Sequence, residues 1–557
     1  MTNKTTKLIT LLLLCSSIFF SCRKEFTEKS QTSSEPISYS DISMITGPGS
    51  EDNMEFAAQT PNPYTLPNMQ AALDSLALRN ELQCDITKFQ IRATHKYIKF
   101  KPVDSIQFGL LIQDTSLILF DYPMDRRITK GGTYYRDPNV LEGQPNYQWT
   151  CVNIDKALPT GIPYDIISDL YIPEEDPNLI QYYNTEFDHC ITLLIDEALK
   201  RTGNYDTSNY YGGMTSGGDL VSIKLPTKWT PSGRIRLSDD VLSNNTGLRG
   251  VKARAHRWFE VREQLTDANG NFNVGHQFRY PVDYSIKWER NDFNIRSGRH
   301  GQAYFNGPHQ RGDWNLDIVN NNNFVSWFYG QVHRGAFDYY YNNTLGIESP
   351  PKNGFLGSRI AIGVLNKKGR AFFRKENRNW VGPEIYMYTS EEDGNGNISI
   401  PSSLRLYETI IHELAHASHF NLSHWHFRNS ADMVQESWAV GVAWSFARLK
   451  YTNAMSLQWL RLQSDTDEFD VVHWGERQYT PLVIDLIDNI NQRTSNGSGN
   501  TDFPIDNVTG FTIATIEDAL TQRRTMDAWR DELKANKPSG VTDAQIDELF
   551  ANYTPLQ

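Results

Sequence analysis

His412 and His416 stand four residues apart in the stretch "YETIIHELAHASHF", with Glu413 directly after the first of them. On a helix of 3.6 residues per turn the two imidazoles leave from one face, and Glu413 projects about a quarter turn away. Two neutral imidazoles so spaced offer lone pairs to one divalent cation, zinc above all, and the carboxylate beside them is placed to take a proton from water. The chemistry implied is metal-assisted hydrolysis. The surrounding residues must position that set. Leu404, Tyr407, Ile411, Leu414 and Ala415 recur at three- and four-residue spacing, and no Pro or Gly interrupts 404–420, so a helix with a buried side is expected. Two histidines and a glutamate are poor choices on such a helix unless something pairs with them.

A catalytic zinc takes three protein ligands and keeps one position open. After a polar connection, "HWHFRNS", the run "SADMVQESWAVGVAWSFARLK" reads as a second helix. Ser430 is its expected N-cap, and Val434, Trp438, Val442, Phe446 and Leu449 form its apolar stripe. Glu436 lies in the first two turns, twenty residues after His416, and is the favoured third ligand. The rivals are Asp432 and the histidines His419, His424 and His426. His419 is three residues past His416, too far round to join the same ion comfortably, and the other two fall in the connection.

These residues resemble the zincin metallopeptidases, in particular the gluzincin branch, where H-E-x-x-H is followed one helix later by a glutamate ligand. The resemblance rests on His412, Glu413, His416 and "QESWA" around Glu436, and covers the C-terminal half of the chain. The metzincin branch would want glycine at position 419 and histidine or aspartate at 422; the chain has His419 and Leu422. Many gluzincins also carry an aspartate four residues after the glutamate ligand, where this chain has Val440. Asp432 is the substitute expected to orient a zinc histidine. The resemblance implies a zinc-dependent peptidase with Zn2+ on His412, His416 and Glu436 and with Glu413 as general base. A hydrogen-bond donor for the oxyanion is also needed; Tyr479, in "GERQYTPLVIDLID" at the start of an apolar helix, is the first choice and His473 the second.

The chain has 557 residues, 39% hydrophobic and 12% aromatic, too many for one compact domain. Its formal charge of −12 argues against a nucleic-acid partner, which would want basic stripes. "MTNKTTKLITLLLLCSSIFFSC" sets two lysines before an apolar run from Leu8 to Phe20, too short to span a bilayer. It resembles a bacterial lipoprotein signal, with Cys22 as the lipidated residue. That implies an extracytoplasmic protein held at the outer membrane or cell surface by a lipid. Beside Cys22 the mature chain would keep Cys84, Cys151 and Cys190, enough for one disulfide among those three.

The expected architecture is multidomain α+β. A signal peptide (1–21) and a Ser-, Thr- and Pro-rich linker (22–68) precede a small α/β domain (69–226). In that domain "THKYIKFKP" and "LILFDYPMD" read as strands around the short helix "DSIQFGLLIQD", and "TEFDHCITLLIDEALKRTG" as a longer helix stopped by Gly203. "YGGMTSGGD" marks a hinge-like connection. The next unit (227–296) resembles the transthyretin-like β-sandwiches of bacterial surface proteins, through its turn Thr266 to Gly270. Asn269-Gly270 is in addition a hairpin signal. Trp258, Phe259 and Trp288 are read as sandwich core, the other reading being a glycan-contacting platform.

The last unit (297–557) would be the zincin-like domain. It has an aromatic helix, "FVSWFYGQVHRGAFDYYYNN", then the strands "SRIAIGVLN" and "EIYMYTSEE". Tyr386 to Thr389 is the candidate edge strand for an extended peptide. The function expected is peptide-bond hydrolysis on a peptide or protein substrate. The alternative is a non-catalytic surface lipoprotein that binds glycan or protein on a retained zincin fold. A third reading makes the first domain an inhibitory prosegment.

Overall fold

Pro67 opens the first helix, α1 (Leu66–Leu78), which buries Met69, Ala72, Leu73 and Leu76 at helical spacing. Those residues face α3 (Thr185–Arg201), whose Cys190 forms a disulfide with Cys84. Gly203, at φ +73°, follows as a left-handed stop. The alternating "HKYIKF" becomes β1 (His95–Phe100), and "SIQFGLLIQ" becomes α2 (Ser105–Gln113), capped by Asp104. β1 is the centre of an antiparallel sheet, between β2 (Gln148–Asn153) and β3 (Tyr164–Leu170).

This is the computed structural model of the protein, and it describes residues 53–553 apart from 80–83, 142, 183–184, 206–226, 300, 322–323, 354–358, 375–382, 393–397, 452–478 and 496–502. The signal segment, Cys22, the glycine-rich connection at 211–219 and His473 lie outside the described residues. All described residues belong to one unit, Thr46–Gln557. No helix among them is long and apolar enough to cross a membrane.

The segment "LILFDYPMD" does not form a strand. Phe120 makes only an isolated bridge to Trp149, because the polar side chains around it bond sideways: Asp121 accepts from Gln148 and Tyr304, and Asp125 from Tyr97. The first layer is therefore an antiparallel sheet with helices, without the β-α-β order expected. Met54 and Tyr64, inside the stretch read as linker, are buried with this core.

Two further sheets follow. One contains β4 (Ser232–Asp239), with β7 (Asn271–Asn273) on one side and β11 (Trp314–Ile318) on the other. The other runs β10 (Tyr304–Gln310), β8 (Val282–Lys287), β5 (Lys252–Arg257), β6 (Glu260–Leu265), antiparallel throughout. Asn269-Gly270 turns the chain from β6 into β7, two strands in different sheets, so it closes no hairpin. Gly270 takes φ +81°, and a Cβ there would sit 2.0 Å from the Ile235 carbonyl oxygen. Trp288 is buried in the core shared with the later strands, but Phe259 is buried in the first core and Trp258 half-buried against it, so these two do not form the core of a sandwich of their own unit. β10 and β11 lie beyond residue 296 yet pair with strands before it.

The sheet that carries the site begins with β9 (Phe293–Ser297). Its order is Gly301–Gln302, β9, β12 (Ile360–Lys368), β14 (Ile385–Glu392), β13 (Phe372–Phe373), with β9, β12 and β14 parallel and β13 antiparallel. β13 is thus the outer strand at Ile385 and Tyr386, displacing Tyr386 from the edge expected of it. Against this sheet packs α4 (Phe324–Tyr341), nearly all of whose residues are buried. Gln331 on α4 donates to Ser403 Oγ at 3.0 Å, and Asp240 accepts the Ser403 N–H at 2.7 Å, fixing the start of the next helix.

Candidate metal centre

That helix is α5 (Ser403–Leu422), capped by Ser402 and buried along Leu406, Ile410, Ile411 and Leu414. Gly335 on α4 lets the two helices approach, since a Cβ there would meet Ile410 Cγ2 at 2.3 Å. α5 ends at Ser423, whose side chain caps the next short helix, α6 (His424–Arg428), so the polar connection is itself partly helical. The following helix, α7 (Asp432–Lys450), is capped at Ala431 and not at Ser430, whose hydroxyl is donated to the Arg523 carbonyl. Val434, Trp438, Val442 and Phe446 are buried as the stripe requires, but Leu449 is exposed near the helix end.

α7 packs across α5 and brings three ligand atoms together. His412 Nε2 lies 3.0 Å from Glu436 Oε2, His416 Nε2 lies 3.2 Å from the same oxygen, and the two imidazole nitrogens are 3.1 Å apart. A tetrahedral zinc with bonds of about 2.0 to 2.1 Å sets its ligand atoms about 3.3 Å apart, so the triangle fits that ion. Were both rings neutral and protonated on Nδ1, three lone pairs would converge on one point, and a cation there would relieve them. Among the described residues this is the only such group of three.

Burial pushes the His412 imidazole below its ordinary range, favouring the neutral, ligating form. Burial would raise Glu436, but the positive charge and ring N–H groups of His416 and His412 outweigh it and hold the carboxyl well below the usual carboxylate range, the part a bound cation would take over with the rings neutral. Glu413 stays outside the triangle. It is buried, and burial pushes it up to about 8, against the lowering effect of His416 and of a hydrogen bond donated by the Phe373 backbone N–H. Its surroundings thus favour the protonated carboxyl.

Tyr479 stands beside the triangle, its ring centroid 6.0 Å from that of His412, three residues before α8 (Leu482–Ile487). Burial first, and then Glu436 and Glu413, keep its phenol protonated. The rivals go elsewhere. His419 is buried edge-on against Phe427, His424 stacks on Phe420, His426 Nδ1 bonds Ser423 Oγ, and Asp432 is exposed on the first turn of α7. Sequence reasoning missed the Phe373 backbone, Phe427 packed against His416, and the Ser437 to Thr480 contact that holds Tyr479 in place. None of these carries a fixed spacing to the motif. A scan against protein-family models and a search of curated proteins found no match for the chain.

Proposed function

We propose that the chain is a zinc-dependent peptidase of gluzincin type, and the observation that carries this reading is the triangle of His412, His416 and Glu436 with Glu413 buried next to it. Zinc bound there would acidify a water and polarise a carbonyl. Glu413 is placed to act as general base toward an attacking water and would then pass the proton to the departing amine. The Tyr479 hydroxyl donates to the oxygen on which negative charge develops. β13, the outer strand beside α5, is where an extended peptide would add in this reading. The Cys84 to Cys190 disulfide supports an oxidising, extracytoplasmic compartment and with it the lipoprotein reading of Cys22.

The test is hydrolysis of a broad peptide library by zinc-loaded wild type and Glu413→Gln side by side. Glutamine keeps the shape but cannot take the proton, so turnover should fall by about 10² to 10⁴ with zinc retained. Equal activity in the two proteins, or none in the wild type, would replace the enzyme with a surface protein that binds its target without cutting it.

A further inference from the structure

Arg405 lies seven residues before His412 on α5, two turns away and on the same face, at about 10 Å along the axis. Its Nε approaches Glu391 Oε2 on β14 at 3.6 Å, longer than a hydrogen bond, and both side chains remain about one-third exposed (39% and 34%). Arg370, in the turn between β12 and β13, is exposed as well. The charges of both arginines act on the Tyr479 phenol, and that of Arg405 acts on His412. Two guanidinium groups from separate elements therefore bear on one end of the site.

Which end follows from the strand register. Phe373 pairs with Ile385 and its N–H meets Glu413, so the start of β14 is level with the metal centre. Glu391, six residues further along β14, is level with Arg405. Arg370 precedes Phe372 by two residues, and because β13 runs antiparallel to β14 it also lies toward that far end. A peptide added antiparallel to β13 runs in the direction of β14, from the Glu413 level toward the two arginines. Its residues after the scissile bond approach them, and 10 Å is about three extended residues.

Resting on the peptidase reading, we propose that Arg405 and Arg370 recognise a carboxylate two to three residues beyond the scissile bond on its C-terminal side. The carboxylate is supplied by the C-terminus of a short peptide or by an acidic side chain; a guanidinium binds either in the same forked geometry.

The test uses zinc-loaded full-length protein and two matched peptide pairs. One pair ends two residues past the cleaved bond as free acid or amide. The other is longer, amidated, and carries Glu or Gln at the third position past the bond. The acid member of at least one pair should have a kcat/KM about 10- to 100-fold higher, expressed in KM, and which pair discriminates identifies the source. Arg405→Ala should remove the difference between the acid and neutral members of the discriminating pair, whatever its effect on the rate common to both, Arg405→Lys should restore part of that difference, and Arg370→Ala should weaken it independently. Equal cleavage within both pairs by the wild type would overturn the proposal and leave the peptidase reading intact. Absence of any cleavage above Glu413→Gln would overturn that reading; calorimetric binding of the same peptides to zinc-loaded Glu413→Gln still measures recognition, and equal affinities within both pairs would overturn the proposal there too.

Discussion

Ser437 Oγ and Thr480 Oγ1 are buried 2.7 Å apart, joining the residue after Glu436 to the residue after Tyr479 across 43 positions of sequence. This contact, with α8 packed on α7, sets Tyr479 beside the triangle of His412, His416 and Glu436. Gly441 on α7 permits that packing, since a Cβ there would meet Val483 Cγ1 at 2.1 Å.

Removing one hydroxyl of this pair leaves the other buried without its partner. Ser437→Ala or Thr480→Val alone should each cost about 1 to 3 kcal/mol, and the double variant less than their sum. Chemical denaturation of the four proteins checks this; strictly additive losses would show that the two hydroxyls do not interact.

The C-terminal helices enclose a second set of carboxyls. Asp485 is fully buried and accepts from Tyr553 at 2.7 Å and Gln492 at 3.1 Å; burial raises it, and burial pushes nearby Asp506 up to about 8. A carboxyl whose pKa is higher folded than unfolded holds its proton more tightly in the folded state. Its contribution is complete below the unfolded value of about 4 and is lost as pH rises through the folded one. Melting temperature should therefore fall from pH about 4 toward 8 less steeply in Asp506→Asn than in wild type. Identical slopes would contradict this.

The disulfide closes a loop with a sequence separation of 106 residues between α3 and the segment after α1. Chain-entropy reasoning assigns a loop of that length up to about 4.7 kcal/mol. Cys190→Ser, and reduction of the wild type, should lower thermal stability by similar amounts, with zinc content unchanged. A melting temperature indifferent to both would contradict the assignment.

The site was legible where local pattern decides structure. The helices bearing His412, His416 and Glu436 announce themselves by apolar period, and the twenty-residue interval is short enough for one turn of chain to return α7 onto α5. What was not legible depends on long-range pairing. "LILFDYPMD" has the composition of a strand, yet Asp121 and Asp125 are drawn into side-chain bonds with residues up to 183 positions away. The outer strand β13 is two residues long, and its register with β14 gives Phe373 a role that no local spacing encodes. Ser430 has the side chain of a cap, but its hydroxyl bonds the Arg523 carbonyl, and Ala431 occupies the cap position.

In the peptidase reading three side chains hold one zinc while Glu413 does not. Metal content per chain, measured on protein dialysed against trace zinc, tests it most directly. Wild type and Glu413→Gln should each retain close to one zinc, Glu436→Gln should bind it more weakly because a neutral amide replaces an anionic ligand, and the His412→Ala, His416→Ala double variant should retain none. Full zinc occupancy in the double variant, or a wild type that takes up none, would contradict the account.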